Sequence, residues 1–214
     1  MGRPDVQTDH ATKTLPSGFE SIGTFDLKDN TAALMQLNLF GFGLFAVSAW
    51  VFWAILDWMR PGESLSGLVV GFSSLSGIFQ ALGVVLLVTA VMIVLHEGVH
   101  GFFFWRFTGV RPHFGLRGAY AYAAAPDWYL PKRKYLVVAL APLVVLSLLG
   151  VALMAVIPPE GFILLILFLV SNASGAVGDI WVAVWLLRQP EPCFANDEGD
   201  AVTLYRFKPE VQHD

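Results

Sequence analysis

Long apolar stretches alternate with short polar segments along most of this 214-residue chain. Four of them, at residues 33–56, 78–105, 135–157 and 162–187, each contain at most one Asp, Glu, Lys or Arg. Each is longer than the roughly 20 apolar residues that an α-helix needs to cross a hydrocarbon core of about 30 Å. The pattern therefore predicts an all-α polytopic membrane protein with about four transmembrane helices.

Two shorter features lie between these predicted spans. The apolar run that begins at residue 65 is too long for one straight span, and the Gly and Ser residues at 67–77 interrupt it. We expect a re-entrant or interfacial segment there. After the second span, the alternating Tyr120-Ala121-Tyr122 within a Gly- and Pro-rich stretch predicts a small loop hairpin.

Polar ends and basic loops set the expected domains and topology. Residues 1–32 are interpreted as a polar N-terminal tail with a short extended piece near residues 22–27, residues 33–188 as the membrane-embedded domain, and residues 189–214 as an acidic C-terminal tail. The loop at 106–134 carries six basic residues, which the positive-inside rule places in the cytoplasm together with both termini. These residues are Arg106, Arg111, Arg117, Lys132, Arg133 and Lys134.

The amino-acid composition supports a membrane protein and argues against nucleic acid as a partner. The chain is 56% hydrophobic, against roughly 45–50% in soluble domains. Its formal net charge of −4 lacks the basic signature of nucleic-acid binding. The single cysteine, Cys193, excludes an intramolecular disulfide. The acidic run at residues 197–200 is interpreted as a solvated turn.

The second predicted span contains the sequence His96-Glu97-Gly98-Val99-His100, an H-E-x-x-H pattern. Residues four apart lie on one face of a helix, so the two imidazoles can converge on a single ion. Zn²⁺ accepts such a pair, and Glu97 could then act as general base toward a metal-bound water.

A pattern of three fixed residues also arises by chance, and a structural histidine could explain one of the two imidazoles. The apolar setting favours the metal site. Glu97 is the only charged residue between residues 65 and 105. A charge at the centre of a membrane helix costs roughly 2.5–3.5 kcal/mol on insertion scales. A metal site accounts for both histidines and the glutamate together.

A third ligand is expected from the fourth span, whose only charged residue is Asp179. In the predicted topology, His96 and His100 lie about 9–15 Å from the cytoplasmic end of their helix, and Asp179 about 13 Å from the end of its own. The three side chains thus share a depth, which favours one zinc site made of His96, His100 and Asp179.

Asn172 is the second candidate catalytic residue beside Glu97. With Gly175 and Asp179 it falls at i, i+3 and i+7, which is a single stripe of a helix. Its amide could donate a hydrogen bond to a substrate carbonyl or to a developing oxyanion. The alternative is a helix-packing seam in which Ser and Asn bridge neighbouring helices.

These motifs together resemble the intramembrane metalloproteases that include site-2 proteases, and more closely the bacterial putative zincin peptidase family of small four-span membrane proteins. The resemblance covers about residues 95–188. It rests on His96-Glu97-Gly98-Val99-His100-Gly101, on the segment 115–142 with Leu140-Ala141-Pro142, and on residues 172–179.

By this resemblance His96, His100 and Asp179 are zinc ligands, Glu97 is the base, and the protein lies in a bacterial cytoplasmic membrane. The chain departs from the site-2 pattern because Gly178 precedes the aspartate, and neither Leu-Asp-Gly nor Asn-x-x-Pro-x-Pro is present.

The leading hypothesis is a zinc metallopeptidase that cleaves a peptide or membrane-protein substrate at or near the cytoplasmic side. A proton or metal-ion transporter could use the same buried groups as a relay, although no repeated half is visible. A non-catalytic scaffold with a structural metal is the third reading. The expected partners are the bilayer and a peptide substrate, while the oligomeric state is open.

Overall fold

The computed structural model describes residues 9–26, 31–63, 74–117 and 120–208. Most of the predicted re-entrant or interfacial segment, at 65–77, lies outside these ranges. In chain order the helices and strands are β1 (Phe19–Asp26), α1 (Thr31–Met59), α2 (Leu75–Thr108), β2 (His113–Arg117), β3 (Tyr120–Ala124), β4 (Tyr129–Pro131), α3 (Lys132–Met154), α4 (Phe162–Gly175), α5 (Val177–Leu187), β5 (Cys193–Asp197) and β6 (Ala201–Phe207).

Three of these helices, α1, α2 and α3, are long and apolar enough to cross a membrane. The fourth predicted span is broken at Ala176 into α4 and α5, which pass the same test only as a pair. The described residues therefore contain three candidate spans, or four if the broken pair is one span. Glycine has a low helix propensity, and Gly175 and Gly178 flank the break.

The prediction of an all-α chain is wrong, because the structure also contains two antiparallel sheets. Four strands pair in the order β1-β6-β5-β4, and β2 pairs with β3. The second pair confirms the hairpin predicted around residues 120–122. Local sequence patterns did not predict the four-stranded sheet, because β1 and β6 come from opposite ends of the sequence. These two strands pair from Phe19↔Phe207 to Asp26↔Ala201.

Contacts divide the chain into two compact units. The strand unit comprises Met1–Met35, Glu97–Ala141 and Gly178–Asp214. Its core joins side chains from α2, α3, α5 and the four-stranded sheet, among them Phe104, Leu130, Tyr135, Val138, Leu186 and Leu204. Segments predicted as polar tails at both ends of the chain thus contribute strands to one folded unit.

Within the strand unit, polar contacts join the start of α3 to the end of α5. The Nζ atom of Lys132 donates to the carbonyl oxygens of Leu187, at 3.2 Å, and Gln189, at 2.5 Å. The last carbonyls of a helix lack partners within the helix, so this contact caps α5. Lys132, interpreted from the sequence as a topology anchor, thereby holds the start of α3 against the end of α5.

The helical unit comprises Gln36–His96 and Pro142–Val177. A methyl group added at Gly150 of α3 would collide with the side chain of Leu169 in α4, so this glycine permits the two helices to pack closely. Arg60, just after α1, donates through Nη1 to the carbonyl oxygen of Ile157 at 2.7 Å and pairs with Glu63. The carboxyl ends of α1 and α3 therefore lie together.

Candidate metal centre

Helix α2 carries His96, Glu97 and His100 within one unbroken run from Leu75 to Thr108. The boundary between the two units falls inside this helix, between His96 and Glu97. Helical geometry places the two imidazoles one turn apart on the same face. Both histidines are buried, each at 7% exposure, so their polar ring atoms require partners.

His96 is oriented by Asn172 in α4. The Nδ1 atom of His96 lies 2.9 Å from Asn172 Oδ1, while Asn172 Nδ2 donates to the carbonyl oxygen of Pro142 at 3.4 Å. This second contact fixes which amide atom faces the imidazole. Because the facing atom is an acceptor, Nδ1 of the neutral ring carries the proton and Nε2 carries the lone pair that could bind a metal.

His100 is oriented in the same manner by a backbone group of α3. Its Nδ1 atom lies 2.9 Å from the carbonyl oxygen of Val138, which can only accept a hydrogen bond. Its Nε2 atom lies 3.4 Å from Oδ1 of Asp179. Two ligands bound about 2.0–2.1 Å from a tetrahedral zinc ion lie about 3.4 Å apart. The spacing of these two atoms fits a shared ion.

Asp179 lies in the first turn of α5, directly after the break at Ala176. The single stripe predicted for Asn172, Gly175 and Asp179 is therefore wrong, because the break separates Asn172 on α4 from Asp179 on α5. The exposed amide groups and the dipole of a helix N-terminus favour a carboxylate in this turn. The break therefore places Asp179 at the start of a helix.

Potential ligand atoms of His96, His100 and Asp179 all lie within 4.8 Å of one another. Two imidazole nitrogens and one carboxylate oxygen form a donor set that catalytic zinc sites use, with a further position open. Hydrogen bonds to the remote nitrogen of each histidine are the usual second layer of such sites. The residues present therefore fit a zinc ion.

The other two predicted site residues take different positions. Glu97 follows the first histidine on α2 and is partly buried. Asn172 is completely buried, and its amide is engaged with His96 and Pro142. Its contacts point to a role in orienting His96, and the donor role toward a substrate stays a prediction.

Sequence reasoning missed two contributors near His100. The carbonyl of Val138 is a backbone atom, which leaves no signal in residue type. The acidic run at 197–200 was interpreted as solvated, and this is wrong for Asp197, which is partly buried and accepts a hydrogen bond from the Tyr135 hydroxyl at 2.6 Å. A buried tyrosine hydroxyl needs a partner, which is the signal that could have linked the two residues.

Comparison with known proteins addresses the same segment. The family model described as putative zincin peptidase matches residues 89–194. A search of curated proteins and a search of solved structures each found no match. The matched segment includes the H-E-x-x-H pattern on α2, all of α3 and the aspartate of α5. Residues 89–194, which carry all three members of the His96, His100 and Asp179 group, match the putative zincin peptidase family.

Proposed function

We propose that this protein is a membrane-embedded zinc metallopeptidase that hydrolyses a peptide bond at or near the cytoplasmic side of the membrane. One observation carries the proposal. Two histidines lie on the helix that also bears Glu97, and the Nδ1 atom of each has a hydrogen-bond partner. Both histidines converge with the carboxylate of Asp179. The family match supports the same reaction class.

Each residue of the centre has a distinct task in this proposal. His96, His100 and Asp179 would hold zinc, which when bound supplies a Lewis acid that polarises the scissile carbonyl and lowers the pKa of a water. Glu97 accepts the proton of the attacking water and delivers it to the leaving amine. Asn172 and the Val138 carbonyl keep the imidazoles in the tautomer that a ligand requires.

The location of the centre along α2 bears on where the substrate bond would lie. His100 precedes the end of the helix at Thr108 by eight residues, or about 12 Å along the axis. Helix α2 extends about 37 Å further in the other direction, from His100 back to Leu75. The centre is therefore close to one end of a helix long enough to span, which supports cleavage near one membrane face.

Elemental analysis of the detergent-purified full chain tests the metal. We expect about one zinc per protein in the wild type, and strongly reduced zinc in His96→Ala and Asp179→Ala. His113→Ala is the matched control, because His113 is exposed on β2 and lies outside the centre. Zinc retained in both ligand variants, or absent from folded wild type, would contradict the proposal.

The catalytic step is tested with Glu97→Gln, which removes the proton acceptor and keeps the side-chain size. We expect this variant to retain zinc and to lose peptide hydrolysis by about 10²–10⁴-fold, the usual contribution of a general base. The measurement is cleavage of a peptide library followed by mass spectrometry. A zinc-loaded Glu97→Gln protein with full activity would refute the assigned base.

A further inference from the structure

The side chain of Tyr135 links three elements around His100 in the strand unit. Tyr135 lies in the first turn of α3, three positions before Val138. The carbonyl oxygen of Val138 accepts a hydrogen bond from His100. Its buried ring packs edge-to-face on Phe104 of α2 at a centroid distance of 6.4 Å, one helical turn beyond His100. Its hydroxyl donates to Asp197 Oδ2 at 2.6 Å. Tyr135 thus connects α3, α2 and the end of β5.

Asp197 is itself fixed by a second contact. Its Oδ1 atom accepts the backbone N–H of Gly199 at 2.8 Å. Gly199 has a positive φ of 93°, a conformation that closes the connection between β5 and β6 and favours glycine. Both carboxylate oxygens therefore have donors, and the acceptor of the Tyr135 hydrogen bond cannot move without disturbing the strand connection.

A carboxylate in this position is energetically costly. Burial raises the pKa of Asp197, and the hydrogen bonds from Tyr135 and Gly199 only partly oppose this effect. The charge of Asp179 raises the same pKa, so Asp197 lies within electrostatic range of this candidate ligand of the strand unit. Buried acids in such surroundings are enriched at functional sites. Asp197 also lies beyond the segment that the family model matches.

We propose that Tyr135 and Asp197 are positioning residues for the metal centre, acting through the Val138 carbonyl on His100. Their hydrogen bond ties the first turn of α3 to the sheet and keeps this carbonyl on the Nδ1 atom of His100. The imidazole then presents Nε2 toward Asp179. This inference rests on the proposed function, since it assigns the pair to the ligand His100.

The test uses variants that remove one end of the hydrogen bond at a time. Tyr135→Phe deletes only the hydroxyl and keeps the ring against Phe104, while Asp197→Ala removes the acceptor and Asp197→Asn retains an acceptor oxygen. Tyr205→Phe is the matched control, since it deletes a tyrosine hydroxyl from β6 of the same unit. The readouts are zinc affinity from competition with a chromophoric chelator and the absorption spectrum of the Co²⁺-loaded full chain.

We expect Tyr135→Phe and Asp197→Ala each to weaken zinc binding by about 10-fold, the lower end of the range for outer-shell partners. Each should also change the Co²⁺ spectrum, which reports ligand geometry. The double variant should lose little more than either single variant, because both remove the same interaction. Asp197→Asn should recover most of the affinity, and Tyr205→Phe should resemble wild type.

Wild-type affinity and an unchanged Co²⁺ spectrum in folded Tyr135→Phe would overturn the positioning role. A lower unfolding temperature with both metal readouts unchanged would assign the pair to stability alone and would also overturn it. The proposed function is tested separately, and it fails if wild type binds Co²⁺ and zinc but hydrolyses no peptide. In that case the comparison of metal affinities still decides whether Tyr135 and Asp197 position His100.

Discussion

Asn172 illustrates how one buried amide can orient a candidate metal ligand. No part of its side chain is exposed, and the amide oxygen faces the Nδ1 atom of His96 at 2.9 Å. Without that acceptor the imidazole could turn or place its proton on the other nitrogen. Because outer-shell partners of this kind commonly contribute 10–100-fold to metal affinity, the contact is expected to matter for zinc binding.

We therefore predict that Asn172→Ala weakens zinc binding by about 10–100-fold. Asn172→Asp retains an oxygen acceptor for His96 and should bind zinc nearly as tightly as wild type. Chelator competition on the purified full chain measures both affinities. Equal affinities in Asn172→Ala and wild type would show that His96 keeps its orientation without the amide.

At the residue scale, the sequence predicts those site members whose type and spacing are themselves the signal. His96 and His100 are four residues apart on a helix, and Asp179 is the single charge of an apolar segment. The Val138 carbonyl leaves no such signal. Asp197 was misinterpreted because a run of acids near a glycine is typical of an exposed turn, whereas its side chain accepts a hydrogen bond from Tyr135, 62 residues earlier.

At the scale of elements, the close approach of α3 and α4 depends on Gly150. A Cβ atom at this position would collide with the side chain of Leu169, which is fully buried. Packed interiors resist even one added methyl group, and overpacking typically costs about 1–3 kcal/mol. The contact lies within the helical unit and supports the helix that carries Asn172.

Gly150→Ala should accordingly destabilise the folded chain by about 1–3 kcal/mol, despite the better helix propensity of alanine. The matched control is Gly83→Ala on α2, where an added Cβ meets no atom within 4 Å. That change should be neutral or stabilising by up to about 1 kcal/mol. Thermal unfolding in detergent compares the two. Equal unfolding temperatures for both variants would contradict the packing role of Gly150.

The elements that the sequence predicted well are the helices formed by uninterrupted apolar segments. Helices α1, α2 and α3 lie within a few residues of the predicted spans. The break at Ala176 was missed because small residues on either side fit both a helix-packing seam and a helix end. Strands β1 and β6 were missed as a pair because pairing between distant segments is set by tertiary contacts, which local periodicity does not contain.

At the scale of the whole molecule, the four-stranded sheet constrains how often the chain crosses the membrane. Strand β1 precedes α1, strand β6 follows α5, and the two are hydrogen-bonded to each other. An open sheet cannot be divided by hydrocarbon, so if the apolar helices cross a bilayer, both strands share one side of it. The number of crossings between them is therefore even. Among the three or four candidate spans of the described residues, only the count of four meets this condition, and α4 and α5 then cross as one broken span.

This inference predicts which exposed positions share a side of the membrane. Cysteines introduced at Glu20 and Lys208 should label together with a membrane-impermeant maleimide, and those at Glu63 and Glu160 should label together from the opposite side. The native Cys193 gives little background, because it is buried and burial raises its pKa to about 11. Wild type is the control for that background.

The basic loop further predicts that the Glu20 and Lys208 positions face the cytoplasm, and hence label in inverted vesicles rather than right-side-out ones. Labelling of both from the outside would reverse the orientation while leaving four crossings intact, because the sheet fixes only that the two strands share a side. Labelling of Glu20 and Lys208 from different sides would be incompatible with the pairing of β1 and β6. That result would require an odd number of membrane crossings between β1 and β6.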